Sequence, residues 1–403
     1  MKLAGHKVLV LGNDDRVILA VVRSLGRQEL QVHVAWCDPK LPAMSSRYLY
    51  AYHELPAYSA CDEIWLIALN RLVASHDYDL IIPCNDFAAV PLQLFRDRLT
   101  ASGNWYLLNE ASFQTSFNKH RTSQLARKLG IPTPREIHVG MNMGRLQDDG
   151  DDTSWMTDLC YPVYIKPLSS VTRMNVMNKR SVQRVTDLAE LRNVLTALQN
   201  PNGLLIQERF CGEGHGVEVL AFEGAVLFEM QHRRLRETIS GGSTYREAVQ
   251  LNPHLREAVA AMVAELGYTG VAMFEFRVNP QTGRYVLLEI NARFWGSLPL
   301  AIVARADFPF YLYQMLVCGR RIFPDKYKTG VRCRNLLPDL RCIKSTFGVT
   351  AAVWHLFTMF FRTDHQDHWA WDDRKPQLRL FLDSIRSFVR NHELSLVRII
   401  RRS

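Results

Sequence analysis

Residues 271–299 read VAMFEFRVNPQTGRYVLLEINARFWGSLP and predict two adjacent β-strands. The first run, residues 271–278, is followed by Asn-Pro-Gln-Thr-Gly at residues 279–283, which is a strong turn signal. The second run, residues 285–293, is rich in the aliphatic and β-branched side chains that strands favour. The pattern therefore predicts a hairpin.

Polar side chains of this hairpin are expected to share one face. Side chains alternate between the two faces of a strand, so Glu289, Asn291 and Arg293 point the same way. On the partner strand, Glu275 can lie beside them. Mg²⁺ takes one or two carboxylates and completes its shell with water and phosphate oxygens, so Glu275, Glu289 and Asn291 predict Mg²⁺ or Mn²⁺ binding and phosphoryl transfer. The alternative is an ordinary solvent-facing hairpin in which Arg293 pairs with Glu289.

Three pieces of the sequence, taken in order, resemble the ATP-grasp superfamily. They are Lys166 within residues 161–167 (YPVYIKP), Glu275-Phe276, and residues 288–293 (LEINAR). The resemblance is strongest to the carbamoyl-phosphate-synthetase-like and biotin-carboxylase-like members, which are carboxylate–amine or related ligases, and it covers roughly residues 1–320. It implies ATP and Mg²⁺ as cofactors and a homodimer as the assembly.

The resemblance also implies an architecture of α/β and α+β parts. Residues 1–115 are expected to form a Rossmann-like pre-ATP-grasp domain, and residues 116–328 the ATP-grasp domain that binds nucleotide and carries catalysis. Residues 329–403 are expected to form a mainly helical, basic C-terminal extension.

The first part alternates strand and helix, which indicates a small parallel sheet. Strand-like runs occupy residues 7–12, 31–36 and 79–83. Ligands of such sheets bind beyond the carboxyl ends of the strands, here at residues 12–15 and at Asn85-Asp86. The first of these loops lacks GxGxxG, which argues against a dinucleotide. Asp86 is a candidate for holding the amine substrate, and the alternative is a helix N-cap.

Two lysines are the candidate phosphate contacts. Lys166 ends a mostly apolar strand, where an ammonium is costly unless it meets an anion. A structural salt bridge is the alternative. The resemblance assigns Lys119, at the start of the next unit, as the first basic nucleotide contact. Relatives follow the lysine equivalent to Lys166 with a glycine-rich loop, whereas residues 168–175 here contain no glycine.

The remaining nucleotide contacts are implied by the resemblance alone. Glu208, Arg209 and Phe210 would link the two halves of the nucleotide domain and bond the adenine edge through their backbone. The spaced glycines of residues 212–216 are interpreted as a tight turn before a strand. A ribose contact is expected from His215 or Glu218, and the alternative is an ordinary strand residue in either case.

A basic cluster at residues 232–236 (HRRLR) precedes a Gly-Gly loop. Arginine forks match phosphate oxygens, so the cluster is interpreted as a lid in which Arg233 or Arg234 holds the γ-phosphate. Arg293 is the candidate that stabilises the acyl phosphate and the later oxyanion. On its own, the cluster would be interpreted as a solvated face.

The overall composition fits a globular protein of more than one domain. The chain has 403 residues, of which 47% are hydrophobic and 22% charged. We expect a cytoplasmic protein, because the N-terminus lacks a signal-peptide pattern and no apolar run approaches the roughly 20 residues of a membrane span. The eight cysteines lack CxxC spacing, which favours free thiols over a zinc site or disulfides.

The positive charge is concentrated near the C-terminus. The whole chain carries a formal charge of +9, and residues 331–403 contain 13 Lys and Arg against 7 Asp and Glu. No nucleic-acid-binding motif accompanies this excess, so nucleic acid is not an expected partner. Apolar residues at helical spacing beyond residue 376 favour helices packed on the main body. Peripheral contact with an anionic membrane is the alternative.

These patterns together predict an ATP-dependent ligase. It would activate a small-molecule or glycan carboxylate as an acyl phosphate and join it to an amine, releasing ADP and phosphate. Two alternatives stay open: a non-catalytic ATP-grasp protein that binds nucleotide, which the glycine-poor segment favours, and a nucleotide-sugar-dependent transferase, which the Rossmann-like opening favours.

Overall fold

The structure is a computed structural model that describes residues 3–139, 154–169, 171, 176, 182–197, 203–238, 241–358 and 364–386. The acidic segment 147–153, residues 170 and 172–175 after Lys166, and the chain beyond residue 386 lie outside the described residues. Within the described residues, the strands form three sheets.

The first sheet, called here the N-terminal sheet, is parallel and has the strand order β3-β2-β1-β4. Its core strand is apolar, and residues 8–11 are fully buried. The Asp14 side chain caps the first helix by accepting from the Val17 amide at 3.3 Å. The elements are β1 (Lys7–Leu11), α1 (Asp15–Gly26), β2 (Gln31–Ala35), β3 (Leu49–His53), α2 (Ile64–Ala74), β4 (Leu80–Pro83) and α3 (Asp86–Leu94).

Strand β3 is absent from the sequence-based prediction, which gave three strands. The loop after β1 passes close to the loop after β4, because Gly12 has φ of 143° and a Cβ there would lie 2.8 Å from Asn85 Oδ1. The two loops that the parallel-sheet rule selects are therefore neighbours.

The second sheet, called the central sheet, is antiparallel and has the order β5-β8-β6-β7. Two helices, α4 (Glu110–Ser116) and α5 (Lys119–Lys128), precede it, and α5 begins at the lysine expected to open the nucleotide domain. The other elements are β5 (Glu136–Val139), β6 (Val163–Pro167), β7 (Gln183–Val185), α6 (Leu188–Ala197) and β8 (Leu204–Glu208).

The third sheet, called the large sheet, has the order β13-β12-β9-β10-β11-β14-β15 and contains the predicted hairpin as β12 and β13. Its strands and adjoining helices are β9 (Glu213–Phe222), β10 (Ala225–Glu237), β11 (Ser243–Val249), α7 (Pro253–Glu265), β12 (Gly270–Val278), β13 (Tyr285–Asn291), α8 (Leu298–Val303) and α9 (Phe308–Leu316). The C-terminal part adds β14 (Arg332–Arg334), α10 (Leu336–Phe347), α11 (Val349–Thr358) and β15 (His365–Gln366), and residues 375–386 are helical.

The C-terminal part is partly built into the body of the protein. Residues 364–373 form a strap between the large sheet and the N-terminal sheet. Asp367 forms a fully buried ion pair with Arg246 of β11, and Asp373 accepts from Arg23 Nε of α1 at 2.9 Å. None of the described helices is long and apolar enough to cross a membrane. All eight cysteines belong to the described residues, and all are unpaired.

Candidate active site

The predicted metal ligands lie side by side on the large sheet. Glu275 of β12 is directly opposite Glu289 of β13, and Asn291 Nδ2 donates to Glu289 Oε1 at 3.3 Å. A β-bulge at Leu288 shifts the register next to this pair, as bulges near functional sites often do. Opposed residues of an antiparallel pair share a face, so the two carboxylates and the carboxamide belong to one surface, called here the cleft face.

Glu275 also contacts an arginine from a more distant strand. Arg234 of β10 lies with its Nη2 2.7 Å from Glu275 Oε2, and the Arg234 side chain is 6% exposed. Two glycines of the intervening β9 make room for this contact. A Cβ at Gly214 would lie 2.7 Å from Arg234 Cδ, and one at Gly216 would lie 2.4 Å from His232 Cε1. The prediction that these glycines form a turn is therefore wrong: both lie inside β9 and let side chains cross it.

The basic cluster at residues 232–236 lies within strand β10, so its interpretation as a lid is wrong. Neighbouring strand residues point to opposite faces, which separates Arg233 from Arg234. The Arg233 side chain is 40% exposed and lies 2.9 Å from Glu247 Oε2, on the face opposite Glu275. The structure thus brings Arg234, and not Arg233, to the cleft face.

Both candidate phosphate lysines approach the cleft face from the central sheet and its leading helix. Lys119 Nζ lies 3.5 Å from Glu289 Oε2. Lys166 Nζ donates to Gln207 Oε1 at 2.6 Å. Burial lowers the pKa of Lys166 below its ordinary value, although the Glu289 carboxylate opposes this shift. A partly buried ammonium held by an amide oxygen is suited to receive an anion.

Arg293 and Asp86 form a two-pronged ion pair between the large sheet and the N-terminal sheet. Arg293 Nε lies 2.7 Å from Asp86 Oδ1, and Nη2 lies 3.2 Å from Oδ2. The helix N-cap is Asn85, with Asp86 as the first helical residue. Arg293 Nη1 also donates to the Phe294 carbonyl at 2.9 Å, so its hydrogen bonds to described residues use three of its five N–H groups.

Five of the predicted residues line one cleft. They are Asp86, Lys119, Glu289, Asn291 and Arg293, together with Ser116, Phe117, Val171, Ile290 and Ala292. The cleft therefore lies where the N-terminal sheet, helix α5 and the large sheet meet. Among the described residues, its charged groups are two cations, Lys119 and Arg293, and two anions, Asp86 and Glu289, as expected for a site that holds both phosphates and a metal.

The two candidate ribose residues do not fit that role. Glu218 shares the cleft face but is 1% exposed and bonds His232 Nδ1 through Oε1. Burial raises the pKa of Glu218 and lowers that of His232 to about 3. His215 points to the opposite face, where its Nδ1 is 2.9 Å from Gln231 Nε2.

The predicted connection between the two sheets is present. Strand β8 ends at Glu208 in the central sheet and β9 begins at Glu213 in the large sheet, so residues 209–212, which include Arg209 and Phe210, join them. Glu208 Oε1 accepts from the Cys160 amide at 3.0 Å. The adenine contact of Glu208, Arg209 and Phe210 stays a prediction.

One arginine at the carboxyl end of β1 was missed in the sequence analysis. Arg16 is the second residue of α1, and its Nη1 lies 3.6 Å from Asp367 Oδ2 of the strap. A Cβ at Gly296 would lie 2.9 Å from Arg16 Nη2, so this backbone passes directly beside the guanidinium. Its position after the loop of β1, at the carboxyl end of a parallel strand, was the signal that could have identified it.

The donor set fits Mg²⁺ and a nucleotide. Glu275 and Glu289 are 15% and 33% exposed, so their oxygens are accessible from the cleft without facing bulk solvent. Each carboxylate now contacts a cation, Arg234 or Lys119, that could equally contact a phosphate oxygen. A divalent ion held by two carboxylates and an amide oxygen, with phosphates completing its shell, is a normal Mg²⁺ arrangement.

Parts of this chain are similar to known proteins. A family model described as ATP-grasp in the biosynthetic pathway with Ter operon matches residues 200–336. D-aspartate ligase from Enterococcus faecium is 21% identical over 308 residues, which cover 71% of this chain and 70% of that protein. A protein from Emericella nidulans, provisionally named a urea carboxylase, is also 21% identical over 308 residues, covering 71% of this chain, but the match spans 24% of its length.

Solved structures share the fold at low identity. The biotin carboxylase domain of 2-oxoglutarate carboxylase from Hydrogenobacter thermophilus aligns with a TM-score of 0.61 and 17% identity, covering 81% of this chain and 73% of that one. Its crystals contained ADP, magnesium and bicarbonate. This chain therefore shares the fold of these structures, and its residues 200–336, which contain the acidic hairpin, match the ATP-grasp family model.

Proposed function

We propose that this protein is an ATP-dependent ligase that joins a carboxylate to an amine and releases ADP and phosphate. The observation that carries the proposal is the set of Glu275, Glu289 and Asn291 on one face. Lys119 contacts Glu289, and Arg234 contacts Glu275. D-aspartate ligase, the Enterococcus relative, has a name that describes this class of reaction. The acid and the amine of the present chain are left open by these similarities.

The proposed reaction has two steps. A carboxylate oxygen of the substrate attacks the γ-phosphorus of ATP and ADP leaves, which produces an acyl phosphate. The amine then attacks the acyl carbon, loses a proton and expels phosphate, which leaves an amide. Arg293 would donate N–H groups to the oxyanion that forms on the acyl carbon, and Asp86 holds the guanidinium in place.

Acidic and basic residues at the cleft face would bind different parts of the Mg²⁺–nucleotide complex. Glu275, Glu289 and Asn291 would hold Mg²⁺, which supplies positive charge next to the β- and γ-phosphate oxygens. Lys166, which contacts Gln207, and Arg234, which contacts Glu275, would donate N–H groups to the phosphates, and on phosphate binding Arg234 would exchange its contact with Glu275. These groups are preorganised by the two sheets, which is the main protein contribution to phosphoryl transfer.

A phosphate-release screen of carboxylate and amine pairs with Mg·ATP tests the proposal. A productive pair must raise ADP formation and phosphate release together and yield an amide by mass spectrometry. Nucleotide binding without stimulated hydrolysis across the whole panel would instead favour the non-catalytic alternative. Product formation from a nucleotide sugar without ADP would favour the transferase.

Substitution of Glu289 tests the metal assignment. Glu289→Ala should abolish ADP formation with the productive pair while the circular dichroism spectrum stays unchanged. Glu265→Ala is the matched control, since Glu265 is a half-exposed residue at the end of α7 that pairs with Lys128. Full turnover in Glu289→Ala would refute the metal assignment.

A further inference from the structure

Three histidines of the N-terminal sheet converge on one point away from the cleft. They are His33 of β2, His53 at the end of β3 and His76 after α2, and one ring nitrogen of each lies within 4.8 Å of the others. His33 Nδ1 and His53 Nε2 are 2.8 Å apart. Within the described residues, no other group of three His, Cys, Asp or Glu side chains meets this spacing.

A tyrosine hydroxyl completes the cluster. Tyr78 Oη lies 3.1 Å from His33 Nδ1 and 3.4 Å from His53 Nε2. A hydroxyl has one hydrogen to donate, and a neutral imidazole has one N–H and one lone pair. The nitrogen and oxygen atoms that converge here therefore carry more lone pairs than hydrogens, as a cation-binding site requires.

The surroundings of His76 fix its protonation. Its Nδ1 lies 3.1 Å from the Leu72 carbonyl oxygen, which cannot donate, and 2.9 Å from Ser75 Oγ. Because Ser75 Oγ itself donates to the Leu72 carbonyl, Nδ1 of His76 must carry the proton. Nε2 then keeps its lone pair. A backbone carbonyl that receives the second ring N–H is the usual support of a metal-binding histidine.

His33 is not satisfied by protein groups alone. Its side chain lies in the core, and Nε2 has no hydrogen-bond partner among the described residues. Neutral imidazole is the form that binds a metal.

The spacing of the nitrogens is close to that of a zinc site. Zinc binds imidazole nitrogen at about 2.0–2.1 Å in a tetrahedral shell, which sets ligand atoms about 3.3 Å apart. The observed separations run from 2.8 Å to at most 4.8 Å, on either side of that value. Rotation of the half-buried His53 and His76 rings would close the difference without moving the strands.

We propose that His33, His53 and His76 bind one Zn²⁺ ion, with Tyr78 or water in the fourth position. The site would tie β2, β3 and the segment before β4 together at a part of the sheet that none of the cleft residues occupies. Its role would be structural, because it stabilises the fold that carries the cleft. The proposal is independent of the ligase assignment.

The test uses the full chain, purified without a histidine tag. Metal content is measured by atomic emission, Zn²⁺ affinity by competition with a chromophoric chelator, and geometry by the visible absorption of the Co²⁺ form. The variants are His53→Gln and His76→Gln, which avoid the buried His33. The control is His254→Gln, an exposed histidine of α7.

We expect one Zn²⁺ per chain, a tetrahedral Co²⁺ spectrum and a rise in melting temperature with Zn²⁺ but not with Mg²⁺. Each cluster variant should bind Zn²⁺ at least about 100-fold more weakly, and His254→Gln should bind like the unaltered protein. The Co²⁺ spectrum of the unaltered protein decides the matter if a variant fails to fold. Absence of that spectrum, or unchanged affinity in both cluster variants, would overturn the proposal.

Discussion

At the residue scale, the cleft distinguishes two arginines that the sequence presents as equivalent. Arg234 faces Glu275, whereas Arg233 lies on the opposite face beside Glu247. Arg234→Lys keeps the charge but loses the fork, and we expect it to lower kcat for ADP formation by about 100-fold, as loss of a transition-state donor does. Arg233→Lys should stay within about threefold.

Steady-state kinetics with the productive substrate pair checks this difference. Equal losses in the two variants would contradict the assignment of the cleft face.

His215 gives a second prediction at this scale, concerning pH. Burial, then His232 and nearby arginines, lower its pKa from 6.5 to about 4. The unfolded chain therefore binds a proton that the folded chain does not between those values, so stability falls as pH falls from 6.5 to 4. The His215 side chain alone should lower the free energy of unfolding by up to about 1.4 kcal/mol for each pH unit in this range.

His215→Gln should flatten the dependence of the free energy of unfolding on pH in that window. Urea unfolding at pH 6.5, 5.5 and 4.5 measures it in both proteins. Parallel curves for the two proteins would show that His215 does not carry this linkage.

At the element scale, the strap of residues 364–373 predicts a large difference between adjacent aspartates. Asp373 is 1% exposed and accepts from Arg23 Nε and Ser46 Oγ, whereas Asp372 is 42% exposed and pairs with Arg27. Asp373→Ala leaves a buried guanidinium unpaired and should cost about 3–5 kcal/mol. Asp372→Ala should cost about 0–1 kcal/mol.

Urea unfolding of both variants at pH 7 gives the two values. The comparison is controlled internally, because the substitutions are identical and adjacent. A similar small loss of unfolding free energy in both variants would mean that the strap contributes little to the stability of the contact between the two sheets.

Helix α11 carries exposed apolar residues, which can be substituted to test the alternative of membrane contact. Val349, Val353 and Phe357 recur at four-residue spacing and, with Trp354, are each more than half exposed. An apolar helical stripe in a region with excess positive charge fits an anionic membrane surface. Deletion of residues 329–403 is a poor test, because it removes the strap.

Substitution avoids that problem. The membrane alternative predicts that the unaltered protein sediments with vesicles that contain anionic lipid, and that the double variant Trp354→Ser with Phe357→Ser stays in the supernatant. Absence of sedimentation for the unaltered protein would leave helix packing as the explanation of the C-terminal pattern.

Elements with a regular apolar pattern or clear turn signals could be predicted from the sequence. Elements that carry polar site residues in their interior could not be predicted as well. Both strands of the hairpin were found within two residues of their observed ends, because the turn at residues 279–283 separates them. Strand β10 was mistaken for a lid, since His232 and Arg234 replace the apolar residues that reveal a strand. Strand β3 was missed because its sequence, LYAYH, lacks flanking turn signals. The pairing of Arg234 with Glu275 spans three strands and leaves no local trace.

At the scale of the whole molecule, the cleft joins groups from two sheets, so nucleotide binding should stabilise the entire protein. Lys166 belongs to β6 of the central sheet, and Glu289 to β13 of the large sheet. Saturation with Mg·ATP at about 100 times its Kd should add about 2.7 kcal/mol to the free energy of unfolding.

Lys166→Met should separate stability from function. Burial disfavours the Lys166 ammonium, and Met keeps the length of the side chain without its charge. The nucleotide-free variant should therefore be as stable as the unaltered protein or more so, while its stabilisation by Mg·ATP disappears. Lys128→Met, which alters a surface pair with Glu265, should keep the full nucleotide effect. Thermal unfolding with and without Mg·ATP measures all three proteins, and a wild-type nucleotide shift in Lys166→Met would remove Lys166 from the phosphate site.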